Sequence, residues 1–240
     1  MRKWRRRPLP WPTICTAPIL AVLIGFGMWQ LERLEWKRGL IDQRAAALIA
    51  SPIDFNDQQL AEIDFVKVRI LGRFRHDDEV HLVAPPRRGR SGYHIVTPFE
   101  SARNGTMTLV DRGWVPKDLK QPDTRRAGQV SGEQIVVGFA RRPPHPGWFT
   151  PDNQPEGNIW YWVDIDTIAQ QRVIDLQRVI VEADATPNPG GHPIGGQTLF
   201  ALRNNHLGYA ITWFGLAVGL IAVYLAFHWR NRNRVDDSVS

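Results

Sequence analysis

The chain has 240 residues, 43% of them hydrophobic and 22% charged, which is enough for a folded domain and too apolar for a disordered polymer. Its net charge of +6 sits at the ends: Arg2, Lys3, Arg5, Arg6 and Arg7 precede the first apolar run, and Arg230, Arg232 and Arg234 against Asp236 and Asp237 follow the last, so residues 32–203 are neutral and offer no basic footprint for nucleic acid. The single cysteine, Cys15, excludes an intrachain disulfide framework, a Cys-rich zinc site, a C-x-x-C redox motif and covalent haem attachment.

From Pro8 to Leu31 the sequence carries no formal charge, and its apolar part, Thr13 to Leu31, is long enough as a helix to cross a hydrocarbon layer of about 30 Å. A basic start before an apolar run also describes a secretion signal. This run, however, is long for one and ends in Trp29, Gln30 and Leu31 without an A-x-A site, so an uncleaved anchor is expected. Pro18 is expected in its first or second turn, where a missing donor costs little. Glu32 to Ala50 mixes charged residues with Leu34, Ile41 and Leu48 at helical spacing, predicting an amphipathic continuation stopped by Ser51 and Pro52.

The texture then changes to short β-branched runs: Val66, Val68 and Ile70; Tyr93, Ile95 and Thr97; Thr108 and Val110; Ile135 and Val137; Val179 and Val181. Asn104-Gly105, Arg112-Gly113 and Ser131-Gly132 are read as turns between them, at a spacing that suits antiparallel pairing in a small sheet or barrel-like domain. Arg141 to Gly157 is a Pro-rich loop, Asp164 to Val173 predicts a short helix opened by an Asp cap, and Gly190 to Gly196 is read as a flexible approach to the second span. That span, Leu207 to Trp229, is apolar around its whole circumference with aromatics at both ends. Basic residues outside both spans place the two termini in the cytoplasm and the middle domain on the other side. Gly215 and Gly219, with Gly25 and Gly27, suggest close packing of the two helices.

No nucleophile elbow, phosphate-binding loop, H-E-x-x-H or dinucleotide fingerprint is present, so an enzyme is not expected. Ser91-Gly92 reads as a turn before the strand at Tyr93. Six of the seven histidines (76, 81, 94, 145, 192 and 228) fall in polar loops, on a strand edge or at the cytoplasmic interface, where solvated or hydrogen-bonded rings are the ordinary outcome. His206 stands at the outer mouth of the second span, and His206, Tyr209 and Trp213 follow i, i+3, i+7 spacing on one helix face. Two readings suit it: an interfacial histidine in a Trp/Tyr belt, or an imidazole above flat side chains that form a ledge for haem. Asp111-Arg112-Gly113-Trp114 reads as a structural ion pair with a turn glycine and a packed indole. Trp148, Trp160, Tyr161 and Trp162 form an aromatic cluster that suits core, membrane face and partner surface alike.

The segments WQLERLEWKRGLI (29–41), GYHIVTPF (92–99), LVDRGWVP (109–116), FTPDNQPEGNIWYWVD (149–164) and NNHLGYAITWFGLA (204–217) resemble, in order, the surfeit-locus-one family of cytochrome c oxidase assembly factors. The resemblance spans both apolar helices and most of the loop between them. It implies a non-enzymatic inner-membrane protein that accepts haem a and assists its delivery to oxidase subunit I, with His206 as axial ligand to the haem iron and Tyr209 and Trp213 flanking the ring. Haem a synthase, oxidase subunit I and the lipid bilayer are the implied partners. A scaffold that stabilises oxidase assembly intermediates through protein contacts, without haem, is the alternative. Gly113, Trp114 and Tyr209 match family positions, whereas Gly208 stands where a larger polar residue is common.

With eleven residues before Pro12-Thr13 there is no room for a long transit peptide, so a bacterial inner membrane is the expected location. The expected fold is an α+β membrane protein in which two transmembrane helices flank a mainly antiparallel β periplasmic domain. Its organisation reads as a cytoplasmic segment 1–12, transmembrane helix 13–31, a periplasmic domain 32–206 opened by the amphipathic helix, transmembrane helix 207–229 and a cytoplasmic tail 230–240.

Overall fold

The computed structural model describes residues 10–55, 65–198 and 204–236; the basic residues Arg2 to Arg7, expected to set the orientation, lie outside them. Contacts divide the chain into two units, Met1–Gln43 with Ala201–Ser240, and Arg44–Phe200.

The first unit is built from two long helices, α1 (Pro10–Ile49), whose residues from Arg44 on belong to the second unit, and α3 (His206–Asp236). The continuation of the first span as helix is observed, and it ends at Ile49, just before Ser51 and Pro52. Because the helix already includes Pro10, Pro18 lies in its third turn or later and not the first or second. Both helices are long and apolar enough to cross a membrane, and only 6% and 11% of their most apolar windows are buried against protein, unlike the core helices of a soluble domain. Their apolar surface fits a lipid environment, so the chain is membrane-associated.

The helices meet along a seam of small residues. Ala210 and Ala217 of α3 are buried, and a Cβ added at Gly27 of α1 would stand 2.6 Å from the Phe214 ring. Gly25, Gly215 and Gly219 do not take part as expected: a Cβ on any of them meets nothing within 4 Å, because the contacting stripe of α3 runs through Ala210, Phe214 and Ala217. At the far end Thr13 Oγ1 and Tyr224 Oη lie 2.8 Å apart in a hydrogen bond.

The second unit is built on one sheet of seven strands: β1 (Ile53–Asp54), β2 (Val66–Phe74), β3 (Val80–Arg87), β4 (Arg90–Ser101), β5 (Met107–Pro116), β6 (Gln134–Arg141) and β7 (Leu176–Ala183). Their order is β1-β2-β6-β7-β5-β4-β3, and a further β2–β4 pairing, Gly72↔Ser101 to Phe74↔Phe99, closes five of them into a ring. Five of the seven neighbouring pairs are antiparallel, as expected; β1–β2 and β5–β7 are parallel.

Strand alternation sorts the side chains into two cores. Val68, Ile70, Phe99, Val110, Val179 and Val181 fill one; Leu109, Ile180 and Val96 face the other, with Trp160 and helix α2 (Ile165–Arg172). Each fully buried aliphatic or aromatic side chain contributes about 1.5–3 kcal/mol. The α2 helix is opened by Asp164, whose Oδ1 accepts from Thr167 N at 3.1 Å, and is ended by Val173 in a left-handed conformation.

Four readings of the loops are corrected. Arg112-Gly113 is not a turn but lies inside β5, where two residues between Asp111 and Trp114 oppose the single Ile95 between His94 and Val96: a bulge. The β3–β4 turn is Arg88-Gly89, both at positive φ, so Ser91-Gly92 already belongs to β4. Residues 190–196 are ordered by two bonds between Ile194 and Trp114, at 2.9 and 2.8 Å, an approach that the missing Cβ of Gly113 permits. The aromatic cluster is split: Trp160 is fully buried, while Trp148 is fully exposed.

Candidate functional site

His206 is the first residue of α3, with its amide N 3.4 Å from Asn204 Oδ1. Its half-buried imidazole turns toward α1, where Nδ1 lies 2.7 Å from Oε1 of the buried Gln30. A carbonyl oxygen only accepts, so Nδ1 carries the proton and Nε2 keeps the lone pair. This arrangement suits a metal-binding histidine, whose second nitrogen is normally held by a neighbouring acceptor.

One turn back along α1, Phe26 stacks on Trp213, with ring centroids 4.9 Å apart and planes inclined by 28°. Gln30 and Phe26 are thus four residues apart on one face of α1, meeting His206 and Trp213 on α3. Of the three expected site residues, two are engaged by the same stripe of the partner helix. Tyr209 is exposed beside them. The donor set offers an iron porphyrin one neutral imidazole nitrogen, two stacked aromatic rings and an exposed phenol. Gln30 and Phe26 were not anticipated; a lone uncharged amide at the end of an otherwise apolar run was the signal for Gln30.

The β unit concentrates its charged chemistry elsewhere. Arg112, expected to pair with Asp111, points to the opposite side of β5, as alternate strand residues do. It donates to Gly128 O and Asn188 Oδ1, approaches His76 Nδ1 at 3.4 Å, and lies over the Phe74 ring with 4.5 Å to its centroid. Burial, and then the charge of Arg125, push its guanidinium down to about 10. Asp111 instead accepts from His94 Nδ1 at 2.6 Å and from Gly113 N at 2.9 Å. Burial disfavours the His94 cation, but the charge and hydrogen bond of Asp111 prevail and raise its pKa.

His76 donates through Nε2 to Val130 O at 2.8 Å, and burial together with the Arg112 charge lowers its pKa. His81, expected in a loop or on an edge, is buried on β3, with Nε2 2.8 Å from Glu79 Oε1. Glu79 also pairs with the buried Arg125; burial alone would raise its pKa, but these two partners outweigh it and hold the carboxyl below its usual range.

Comparison with known proteins follows the same residues. The SURF1 family model matches residues 18–218. Surfeit locus protein 1 of Rattus norvegicus is 36% identical over 214 residues, 82% of this chain and 69% of that protein. The SURF1-like protein of Monosiga brevicollis is 36% identical over 226 residues, covering 89% of this chain and 86% of that protein. Surfeit locus protein 1 of Homo sapiens is 34% identical over 210 residues, covering 80% and 69%.

Proposed function

The chain belongs to the SURF1 family, and from that premise we propose that it is a cytochrome c oxidase assembly factor that takes up haem a on His206 and assists its delivery to oxidase subunit I. The observation that carries this reading is the His206–Gln30 hydrogen bond, which holds Nδ1 as a donor and leaves Nε2 as the ligand atom. Haem a is cargo here, and a cargo site must release. One imidazole ligand with aromatic and aliphatic contacts gives orientation without the grip of two strong axial ligands. Trp213, steadied by Phe26, and the exposed Tyr209 supply the flat apolar contact. Haem a synthase is the donor in this scheme, and no step in it is catalytic.

The proposed setting is a bacterial inner membrane, or its mitochondrial counterpart, with α1 and α3 as the two spans. Five basic residues before the first and three after the second favour both termini on the cytoplasmic or matrix side. The β unit between them then lies on the opposite, periplasmic side.

Co-expression with a haem a synthase, followed by optical spectra of the purified chain, tests the assignment. The wild type is expected to carry haem a and His206→Ala to lose most of it; equal haem in both removes His206 from the scheme.

A second reading, a haem-free scaffold for oxidase assembly intermediates, is favoured by one feature. Trp148 and Phe149 are fully exposed in a tight turn closed by Gly147 and Thr150, through Thr150 N to Gly147 O at 3.0 Å and Gly147 N to Thr150 Oγ1 at 2.9 Å. Such a preformed aromatic tip suits a protein partner. A chain that co-purifies with subunit I, loses it on Trp148→Ala and never carries haem a would establish this reading instead.

A further inference from the structure

Where α1 leaves its apolar run, beside Gln30, it carries Trp29, Arg33 and Trp36 on its exposed surface. The Arg33 guanidinium faces both indoles, 6.0 Å from the Trp29 ring centroid and 5.1 Å from that of Trp36. Such contacts steady a cation without neutralising it. Among the described residues no carboxylate lies within ion-pair distance of Arg33, nor of the half-buried Lys37 one turn on. Ligation of iron by His206 leaves both cations without a task.

Helix geometry puts these two charges on the side of the haem site. Phe26, which stacks on Trp213, is seven residues before Arg33, and Gln30, which holds His206, is seven before Lys37; residues seven apart share one stripe of a helix. The acids of α1 lie elsewhere. At about 100° of rotation per residue, Glu32, Glu35 and Asp42 stand about 100°, 160° and 180° round the helix from Arg33. Arg38 stands on that acidic side, three residues from Glu35, and α3 brings no acid, since no formal charge occurs from Asn204 to Trp229. The stripe therefore reads apolar at Phe26 and Trp213, imidazole at His206 beside Gln30, then cationic at Arg33 and Lys37. At ~1.5 Å per residue the two cations stand ~4.5 and ~10 Å farther along the axis than Gln30, away from the apolar run.

A phospholipid headgroup is the other anion suited to an arginine flanked by tryptophans at a membrane edge. A headgroup gains nothing from cations that share a stripe with an imidazole. Haem a does: it carries iron at its centre, two propionate carboxylates on one edge and an isoprenoid tail away from that edge, the same order as the stripe.

We propose that Arg33 and Lys37 bind the propionates of haem a and so set which edge of the porphyrin leaves the apolar span. The inference rests on the reading of His206 as the iron ligand and deepens it: the imidazole fixes the iron, and the cations fix the rotation of the ring about it.

Titration of the full-length chain, purified without haem in detergent, with haem a and with haem a dimethyl ester tests this, followed by the Soret band. The wild type is expected to bind haem a about tenfold more tightly than the diester, whose carboxylates are masked. Arg33→Gln, a change on an exposed side chain, is expected to weaken haem a about tenfold and leave the diester unchanged, with the spectrum of the bound form unaltered. Lys37→Gln is expected to act in the same direction, and His206→Ala to weaken both porphyrins alike. Equal affinity for haem a and its diester in a wild type that binds through His206 overturns the proposal and leaves the haem reading intact. So does haem a binding unchanged in Arg33→Gln, which would make Arg33 a headgroup contact only, or an equal loss of both porphyrins there, which would make it a packing residue. A wild type that binds neither porphyrin overturns both readings together.

Discussion

With Nδ1 of His206 donating to Gln30 Oε1 at 2.7 Å, only Nε2 keeps an uncommitted lone pair, and the ring cannot swing freely about its χ angles. In the proposed haem site the amide is a positioning residue. Gln30→Leu keeps the apolar volume but removes the acceptor, and outer partners of metal-bound histidines are commonly worth 10–100-fold in affinity. The expected outcome is a chain that folds and inserts normally yet retains haem a about tenfold less tightly, read by haem transfer to an apo-globin acceptor; unchanged retention would assign Gln30 to helix packing alone. His94 yields a second residue-scale expectation. Its folded pKa lies above its ordinary value of 6.5 despite burial, because of Asp111. The stabilisation is thus complete below pH 6.5 and is lost as pH rises through the folded pKa. The difference in thermal midpoint between wild type and His94→Gln should be largest near pH 6 and shrink toward pH 9. Parallel curves would show that the pair contributes no proton-linked stability.

At the level of elements, strand β5 carries the most constraint. Gly113 has φ of +117°, and a Cβ there would stand 2.1 Å from the Ile194 carbonyl oxygen, so both backbone conformation and space demand glycine. Gly105 also has positive φ, at +71°, but faces open space. Gly113→Ala is expected to cost about 3 kcal/mol and Gly105→Ala about 1 kcal/mol, measured by chemical unfolding; similar losses at the two sites would remove the Ile194 clasp from the account. The same strand shows what sequence reading could reach. Strands built on β-branched alternation, such as β2 at Val66, Val68 and Ile70, are legible because burial of one face imposes the period. The cap of α2 at Asp164 is legible because its chemistry is local. By contrast, β3 was hidden by Pro85 and Pro86, which deplete strand signals, and the bulge at Arg112-Gly113 imitates a hairpin turn until its distant partner Ile194 is seen. His206, Tyr209 and Trp213 could be placed on one helix by counting residues. Gln30 could not be joined to them, since 176 residues separate it from His206.

For the molecule as a whole, the arrangement of charge argues for one orientation in the bilayer. The 25-residue span from His206 to Arg230 measures ~37 Å as a helix, longer than the hydrocarbon layer of about 30 Å, and the span in α1 begins just after a cluster of five basic residues. In the proposed topology that cluster stays behind with the other terminus, because the positive-inside bias acts on basic residues beside the span ends, whereas a segment as long as 32–203 is translocated largely regardless of its charge. His206, at the outward end of α3, then lies where an amphiphilic porphyrin would reach it from the outer leaflet. The native Cys15 allows this orientation to be read after one replacement, Cys15→Ser. In that background Ser131→Cys, in an exposed loop, is expected to react with a membrane-impermeant maleimide in right-side-out vesicles. Ser238→Cys, in the tail, is expected to react only after detergent is added. The reverse pattern would put His206 on the cytoplasmic side, where uptake of haem a from the outer leaflet fails on geometric grounds whatever the chemistry of the imidazole.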